Sequence, residues 1–394
     1  MHGPGAVVAV MGSVRFSHPG ADRGGPVDLG AARRILAVRA DSIGDVVTTT
    51  PALRAIRAAA PQADLDLLAS PAGWALAPMI EDLDGVLTVS PSSQELSGRH
   101  PGRAGDSVAE RELLDRLTTA RYDVLLVFTS FSQSPWPVAH LGLLAGIGTR
   151  VVHSREFGGA VATHWVTPPP DRTHQVDRAL HLLASIGVPD RGRAPALRVP
   201  PDADEAADRL APPGPFALLA PGASCAARRY PAERFGAAAA RLATSGLPVL
   251  VAGTASEDEL VARVVAAAGH PAVTPVPPAP LTVFAALLRR AAVAITNNSG
   301  AMHIADAVGT PVAVTYAGTE RLAELRPRSV PAALLRRSVA CSPCRQLQCP
   351  FGHECLDVPP AELAAAALAL VPRVVATPAP PEGQPRLRHT TPTR

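Results

Sequence analysis

Short aliphatic segments alternate with longer helical segments along most of this chain. The first half contains four runs that predict buried strands: "RRILAVRA" (33–40), "ADLDLLAS" (63–70), "GVLTV" (85–89) and "YDVLLVF" (122–128). Strands that alternate with helices are typical of α/β proteins with parallel sheets. The pattern therefore favours a layered α/β fold over an all-helical or all-β one.

The same alternation starts again after the proline-rich segment "PDRGRAPALRVPP" (189–201). Two successive doubly wound units predict two Rossmann-like domains facing each other across a cleft. The predicted organisation is a mobile leader over 1–32, an N-terminal acceptor-side domain over 33–190, a hinge over 191–201, a C-terminal nucleotide-sugar-binding domain over 202–376 and a mobile tail over 377–394.

Composition excludes some functions. The 394 residues are 47% apolar, which is enough for two cores. The net charge of +3 is small and every basic residue is an arginine, so nucleic acid is not an expected partner. No apolar run approaches the ~20 residues that cross a bilayer. We expect a cytoplasmic protein, and association with the inner membrane surface stays open.

Ligands of such folds bind beyond the carboxyl ends of the strands. In the first such loop, "RADSIGDVVTTTPAL" (39–53), Asp41 and Asp45 flank a glycine. One of them could act as a general base on a hydroxyl, or merely cap the helix. Thr50 and Pro51 together predict a helix start at that position.

Two further loops contain residues that could bind phosphate or ribose. In "PGASCAARRYPAERF" (221–235), Ser224 supplies a hydroxyl and Arg228 or its neighbour supplies a guanidinium for phosphate, unless the arginine pair is only solvated. Thr254 and Glu257 follow another strand. An acid so placed often binds ribose hydroxyls, although it also suits a helix N-terminus.

The segment "ITNNSGAMHIADAVGTP" (295–311) interrupts an apolar run with polar residues before a helix begins. Backbone amides at a helix start bind anions. Asn298 and Ser299 are expected to cap the helix, Gly300 allows close approach, and His303 lies one turn in. A lone histidine here is more often a core residue, but the polar cluster favours a functional one.

Four cysteines lie close together in "CSPCRQLQCPFGHEC" (341–355). Cys341, Cys344, Cys349 and Cys355 have the look of a thiolate site for a structural metal, with zinc ahead of iron. Four free thiols are the alternative.

In their order, these loops resemble glycosyltransferase family 9, the ADP-heptose:lipopolysaccharide heptosyltransferases. The likeness covers about residues 33–372 and rests on "RADSIGDVVTTTPALRAIRAAAP", "PGASCAARRYPAERF" and "NNSGAMHIADAVGTP". It implies a GT-B fold and transfer of a sugar, most of all heptose from ADP-heptose, to a glycan hydroxyl such as that of a lipopolysaccharide core. The chemistry would need no metal or other cofactor.

The resemblance also implies residue roles. Asp45 would be the base of an inverting reaction. Donor-binding roles would fall on Ser224, Arg228, Glu257, Ser299, Gly300 and His303. Asn298 departs from the family, whose members often have Asp there, and its neutral side chain cannot repeat a charge-based role.

Three alternatives remain at this stage. The donor could be a UDP-, GDP- or dTDP-linked sugar, with a natural product or an envelope glycan as acceptor. A non-catalytic sugar-nucleotide-binding scaffold is a second class. An oxidoreductase is disfavoured because neither first strand is followed by G-x-G-x-x-G.

Overall fold

The computed structural model describes residues 24–88, 104–131 and 133–371. Its first unit contains six strands and five helices: β1 (Arg34–Arg39), α1 (Ile43–Ala59), β2 (Asp64–Ala69), α2 (Pro71–Trp74), β3 (Gly85–Thr88), α3 (Ala104–Ala120), β4 (Val124–Val127), α4 (Trp136–Leu144), β5 (Thr149–His153), β6 (His164–Val166) and α5 (Gln175–Ser185).

The second unit repeats the scheme. It contains α6 (Pro201–Leu210), β7 (Ala217–Ala220), α7 (Ala232–Thr244), β8 (Val249–Val251), α8 (Asp258–Ala268), β9 (Val273–Pro275), α9 (Leu281–Arg290), β10 (Val293–Asn297), α10 (Gly300–Val308), β11 (Val312–Thr315), α11 (Leu322–Leu325), β12 (Ala332–Leu335) and α12 (Pro360–Leu370).

Both sheets are parallel and share one topology. Their strand orders are β3-β2-β1-β4-β5-β6 and β12-β11-β10-β7-β8-β9. The order reverses between β1 and β4 in one sheet and between β7 and β10 in the other. Such switch points open a crevice at the carboxyl ends of the strands. The prediction of two Rossmann-like units is confirmed, and the candidate loops follow β1, β7, β8 and β10.

The strands are aliphatic because helices cover both faces of each sheet. All four residues of β4 and all four of β7 are buried. Aromatic side chains pack edge to face in both units, Trp136 with Trp165 in the first and Tyr230 with Phe235 in the second. Among the described residues, no helix is both long and apolar enough to span a bilayer.

The connection between the units runs without regular structure from 188 to 200. It is bonded to both of them: the Ala196 amide donates to Thr50 Oγ1 at 3.2 Å and the Leu197 amide to the Ala307 carbonyl at 3.4 Å. This segment includes most of the predicted hinge.

The chain ends fall partly outside the described residues. Of the predicted leader, positions 24–32 are described: Leu29 is buried and the Val27 amide donates to the Ile186 carbonyl at 2.9 Å. The predicted tail (377–394) lies outside the described residues.

Helix α1 corrects one sequence prediction. It begins at Ile43, with Ser42 and Asp45 forming a capping box, so Thr50 is not an N-cap and Pro51 lies inside the helix. Pro51 has no N–H for the Val47 carbonyl. The hydroxyl of Thr50 donates to that carbonyl instead, at 2.8 Å, which lets the helix continue.

Replacing Thr50 by valine should therefore destabilise the fold. The substitution removes a buried hydroxyl that satisfies both the Val47 carbonyl and the Ala196 amide, and such losses cost about 1–3 kcal/mol. Urea unfolding of Thr50→Val measures the change. Thr118→Val is the matched control, because Thr118 makes the same kind of bond on an exposed helix face. Equal losses in the two variants would contradict this role.

Candidate active site

Three charged side chains form a cluster after β1. The buried Arg39 places Nη2 2.7 Å from Asp45 Oδ1, and its Nε lies 3.0 Å from Asp41 Oδ2. Ser42 donates to Asp45 through its hydroxyl at 2.7 Å and through its amide at 3.2 Å. The capping role considered for Asp45 is therefore real, and it fixes the carboxylate at the carboxyl end of β1.

The two carboxylates differ in their readiness to ionise. Burial alone would raise the pKa of Asp45, but the Arg39 guanidinium and the Ser42 bonds outweigh it, and the pKa lies below its ordinary value. Burial raises the pKa of Asp41 to about 6, with the Asp45 charge adding to the effect and Arg39 opposing it. Asp45 is thus the more acidic of the two carboxylates, with 18% of its side chain exposed.

The two asparagines before α10 hold loops together. Asn297 is fully buried: its Oδ1 accepts from the Tyr230 amide at 2.9 Å, and its Nδ2 donates to the Pro221 carbonyl at 2.7 Å. Asn298 accepts from the Ala317 amide at 2.9 Å and donates to Glu320 at 2.7 Å. These hydrogen bonds join the loops that follow β7, β10 and β11.

The expectation that Asn298 and Ser299 cap α10 by their side chains is wrong. Ser299 holds the N-cap position, but its hydroxyl makes no capping bond and lies 3.3 Å from Thr296 Oγ1. The amide of Asn298 is fully engaged with Glu320 and Ala317 instead. The backbone N–H groups at the start of α10 are therefore left to an anion or to water.

Arg228 lies beside this helix start. Its Nη2 pairs with Glu320, its Nε donates to Thr319 Oγ1 at 3.2 Å, and its Nη1 reaches Ser224 Oγ only at 3.5 Å. About a quarter of the side chain is exposed. The buried Glu320 carboxylate thus joins Arg228 to Asn298, and Arg228 in turn reaches Ser224. A guanidinium held this way can present its outer edge to a phosphate.

Thr254 and Glu257 form a second capping box, after β8. The Glu257 carboxylate accepts from the Thr254 amide at 3.0 Å and lies against Gly222, where an added Cβ would be 2.0 Å from Oε1. The capping interpretation of Glu257 is confirmed, while its ribose-binding role stays a prediction. Its carboxylate also faces the Ser224 loop. Only glycine at position 222 allows this approach.

The two units meet where α1 and α10 begin, since these helices pack against each other. The His303 ring lies on Gly44, so that an added Cβ there would be 2.4 Å from Cδ2. Burial lowers the pKa of His303 to about 4, with His174 and Arg228 adding to the effect and Asp45 opposing it. His303 is therefore neutral at pH 7, and would bind a phosphate as an N–H donor and not as a cation.

Gly44→Ala should push the two half-sites apart. The added methyl cannot coexist with the His303 ring in its present position, and a displacement of about 1 Å at a reacting centre can cost about 100-fold in rate. We expect kcat/KM to fall by about 10- to 100-fold with a small change in melting temperature. Gly148→Ala is the control, because a Cβ there meets only one backbone oxygen at 3.9 Å. An unchanged kcat/KM in Gly44→Ala would contradict this geometry.

The four cysteines of the 341–355 segment line one cavity of about 390 Å³ together with Gly318 and Thr319. Burial raises the pKa of the Cys355 thiol, and the other three sulfurs add to the effect. Among the described residues, however, no group of three or more His, Cys, Asp or Glu side chains is placed to hold a metal ion. The arrangement does not support the predicted structural zinc or iron.

Several site residues were not predicted from the sequence: Arg39, Ser130, Gln133, Asn297, Thr319 and Glu320. The sequence gives one local indication of their role in the site: each lies at or just beyond the carboxyl end of a strand. Their pairings cross between loops that are distant in sequence.

Comparisons with known proteins identify the family and agree with the fold. Residues 111–354, more than half of the chain, match the family model of glycosyltransferase family 9 (heptosyltransferase). No curated protein sequence matches significantly.

Solved structures share the fold. A family 9 glycosyltransferase from Veillonella parvula is 18% identical, with a TM-score of 0.69 over 88% of this chain and 99% of that one. ADP-heptose lps heptosyltransferase II of E. coli is 20% identical, with a TM-score of 0.69 over 86% and 98%. An E. coli heptosyltransferase with ADP is 18% identical, with a TM-score of 0.60 over 76% and 93%. The chain has their GT-B fold, belongs to glycosyltransferase family 9 and is a glycosyltransferase.

Proposed function

We propose that this enzyme transfers a sugar, with heptose from ADP-heptose favoured, to an acceptor hydroxyl with inversion at the anomeric carbon. One observation carries the proposal: the low-pKa carboxylate of Asp45, on α1, lies close enough to His303, on α10, for the two to interact electrostatically, and His303 interacts in the same way with Arg228. A base on one side and a leaving-group site on the other are what a single displacement needs.

The bonds that change are few. The bond between the anomeric carbon and the phosphate oxygen breaks, and the acceptor oxygen bonds to that carbon from the opposite face. As its oxygen bonds to an oxocarbenium-like carbon, the acceptor hydroxyl becomes acidic, so a carboxylate of low pKa is a sufficient base. Asp45 takes that proton, and the nucleoside diphosphate leaves with the electron pair.

The second unit would stabilise the leaving diphosphate. The amides at Ser299 and Gly300, the N–H of His303 and the outer edge of Arg228 all donate toward one region. Glu257 would accept from the ribose hydroxyls, since it lies beside the Ser224 loop. ADP is favoured because the similar enzymes named above are described with ADP or ADP-heptose.

We place the reaction in the cytoplasm or at the inner membrane surface. The acceptor we favour is a glycan hydroxyl, as on a lipopolysaccharide core; other envelope glycans and natural products would suit the same base.

Thermal denaturation with ADP, UDP, GDP and dTDP tests the donor site. A ligand that binds only the folded state raises its stability by RT ln(1 + [L]/Kd). We expect ADP to raise the melting temperature most. A larger shift with another nucleotide would change the donor and keep the mechanism, whereas no shift with any of the four would contradict the proposal.

A further inference from the structure

A second cavity, of about 340 Å³, opens in the first unit beyond the ends of β4 and β5. One of its walls is Gln133, whose Nε2 donates to Asp41 Oδ1 at 2.6 Å and whose Oε1 accepts from the Ser130 amide at 2.9 Å. The cavity is therefore one side chain away from the cluster that holds Asp45. It lies on the acceptor side of the cleft.

Arg178, on α5, lines this cavity and is only 5% exposed. Its Nε donates to the Thr129 carbonyl at 2.9 Å, and its guanidinium carbon lies 4.8 Å from the centre of the Phe131 ring. Across the described ranges, no carboxylate forms an ion pair with it. Burial lowers its pKa to about 10, with the nearby Arg39 and Arg155 adding to the effect and Asp171 opposing it.

A buried guanidinium without a counter-ion is costly, and buried charges are normally paired. One carbonyl and one ring face leave most of the five N–H donors of Arg178 for another partner. A chain that keeps such a group beside an open cavity gains from it only when an anion enters.

The other walls suit an anion. Ser134 and Ser154 bring hydroxyls, and Arg155 brings a second guanidinium, which is exposed and pairs with Asp171 at 3.0 Å. His153 is buried and neutral, because burial and the Arg178 charge hold its pKa well below the ordinary value. Glu156 is the one acidic residue among the lining residues described, and it is exposed, so positive charge prevails at the buried end.

We propose that this cavity binds an anionic group, a carboxylate or a phosphate, carried by the sugar acceptor. The inference rests on the proposed function, because it takes the first unit to be the acceptor side. Gln133 would then couple the bound anion to Asp41 and fix the distance between the acceptor hydroxyl and Asp45.

The probes are inorganic phosphate and glucuronate, each at about 20 mM, with glucose as the neutral control and melting temperature as the readout. We expect a rise with phosphate, glucuronate or both, and none with glucose. Phosphate alone would indicate a phosphorylated acceptor, and glucuronate alone a carboxylated one.

Variants locate the effect. Arg178→Met should lose the anion-dependent rise. Ser134→Glu, at the exposed rim of the cavity, should also lose this rise, because the new carboxylate would pair with the Arg178 guanidinium in place of the added anion. Ser134→Gln has nearly the same shape without the charge and should keep it, so this pair remains informative even where Arg178→Met fails to fold.

ADP is measured in parallel, because it binds the second unit. All variants should keep the rise in melting temperature with ADP. If the wild-type protein showed no such rise, the result would contradict the proposed function but not the anion site. Two results would overturn the proposal. One is a wild-type protein whose melting temperature rises with neither anion, or rises no more than with glucose. The other is an anion-dependent rise that is unchanged in both Arg178→Met and Ser134→Glu.

Discussion

Asp45→Asn is expected to abolish sugar transfer while leaving nucleotide binding intact. The amide has the size of the carboxylate and can keep a bond from Ser42, but it cannot take the proton of the acceptor. General-base catalysis contributes about 100- to 10,000-fold, so kcat should fall by that range. The rate of ADP release from ADP-heptose with acceptor measures the loss, and calorimetry with ADP measures binding.

Asp41→Asn is the matched control, because it removes the other carboxylate that contacts Arg39. The side chain of Asp41 is 5% exposed, against 18% for Asp45, and it is bonded to Arg39 and Gln133, so it offers less access to an acceptor hydroxyl. We expect a smaller loss of kcat, within about tenfold. If Asp41→Asn lost as much rate as Asp45→Asn, or if Asp45→Asn kept its rate, then Asp45 would not be the base.

The second large effect is expected at Arg228. Its guanidinium is positioned by Thr319 and Glu320, and Glu320 also accepts from Asn298, just before α10. Losing one preorganised donor to a developing negative charge costs about 100- to 1,000-fold. Arg228→Met should therefore lower kcat/KM by that range and weaken ADP binding, as measured by steady-state kinetics and calorimetry.

Two controls separate binding from folding. Arg229→Met removes the neighbouring guanidinium, which is exposed and, within the described part of the chain, donates to the Ala223 carbonyl, and should leave kcat/KM nearly unchanged. Arg228→Met also leaves Glu320 buried without its cation, which destabilises the fold. The double variant Arg228→Met/Glu320→Gln should regain stability without regaining ADP affinity. Recovery of ADP affinity in the double variant would show that Arg228 acts only by neutralising Glu320.

The two sheets could be predicted from the sequence because a buried strand is recognisable from its own residues. Parallel strands that are covered on both faces appear as uninterrupted aliphatic runs, as in β4 and β7, and their loops open at one edge. That rule places Asp45 at the ligand-binding edge of the first sheet and the start of α10 at that of the second. The GT-B architecture follows from the same repetition.

The start of α1 could not be predicted by a rule about proline alone. Pro51 favours a first helical position, but the Thr50 hydroxyl replaces the missing donor to the Val47 carbonyl, and the Ser42–Asp45 box starts the helix eight residues earlier. The S-x-x-D spacing was visible in the sequence. Choosing between the two starts requires knowing where β1 ends.

The charge pairings depend on tertiary structure. Glu320 follows β11, and nothing in its own segment predicts that it is buried between Arg228 and Asn298. Asn298 looks like a cap in the sequence because it precedes a helix, yet its amide is used to join two loops. A polar residue at the carboxyl end of a strand is thus predictable as part of a site, while its partner is not.

The most direct test is the anomeric configuration of the product. A glycoside, unlike a free sugar, cannot interconvert its anomers, so NMR of the product made from ADP-heptose and an acceptor records the stereochemistry of the transfer itself. A single displacement assisted by Asp45 predicts a configuration opposite to that of the donor. A product with the donor's configuration would require a second displacement, and would contradict the role proposed for Asp45.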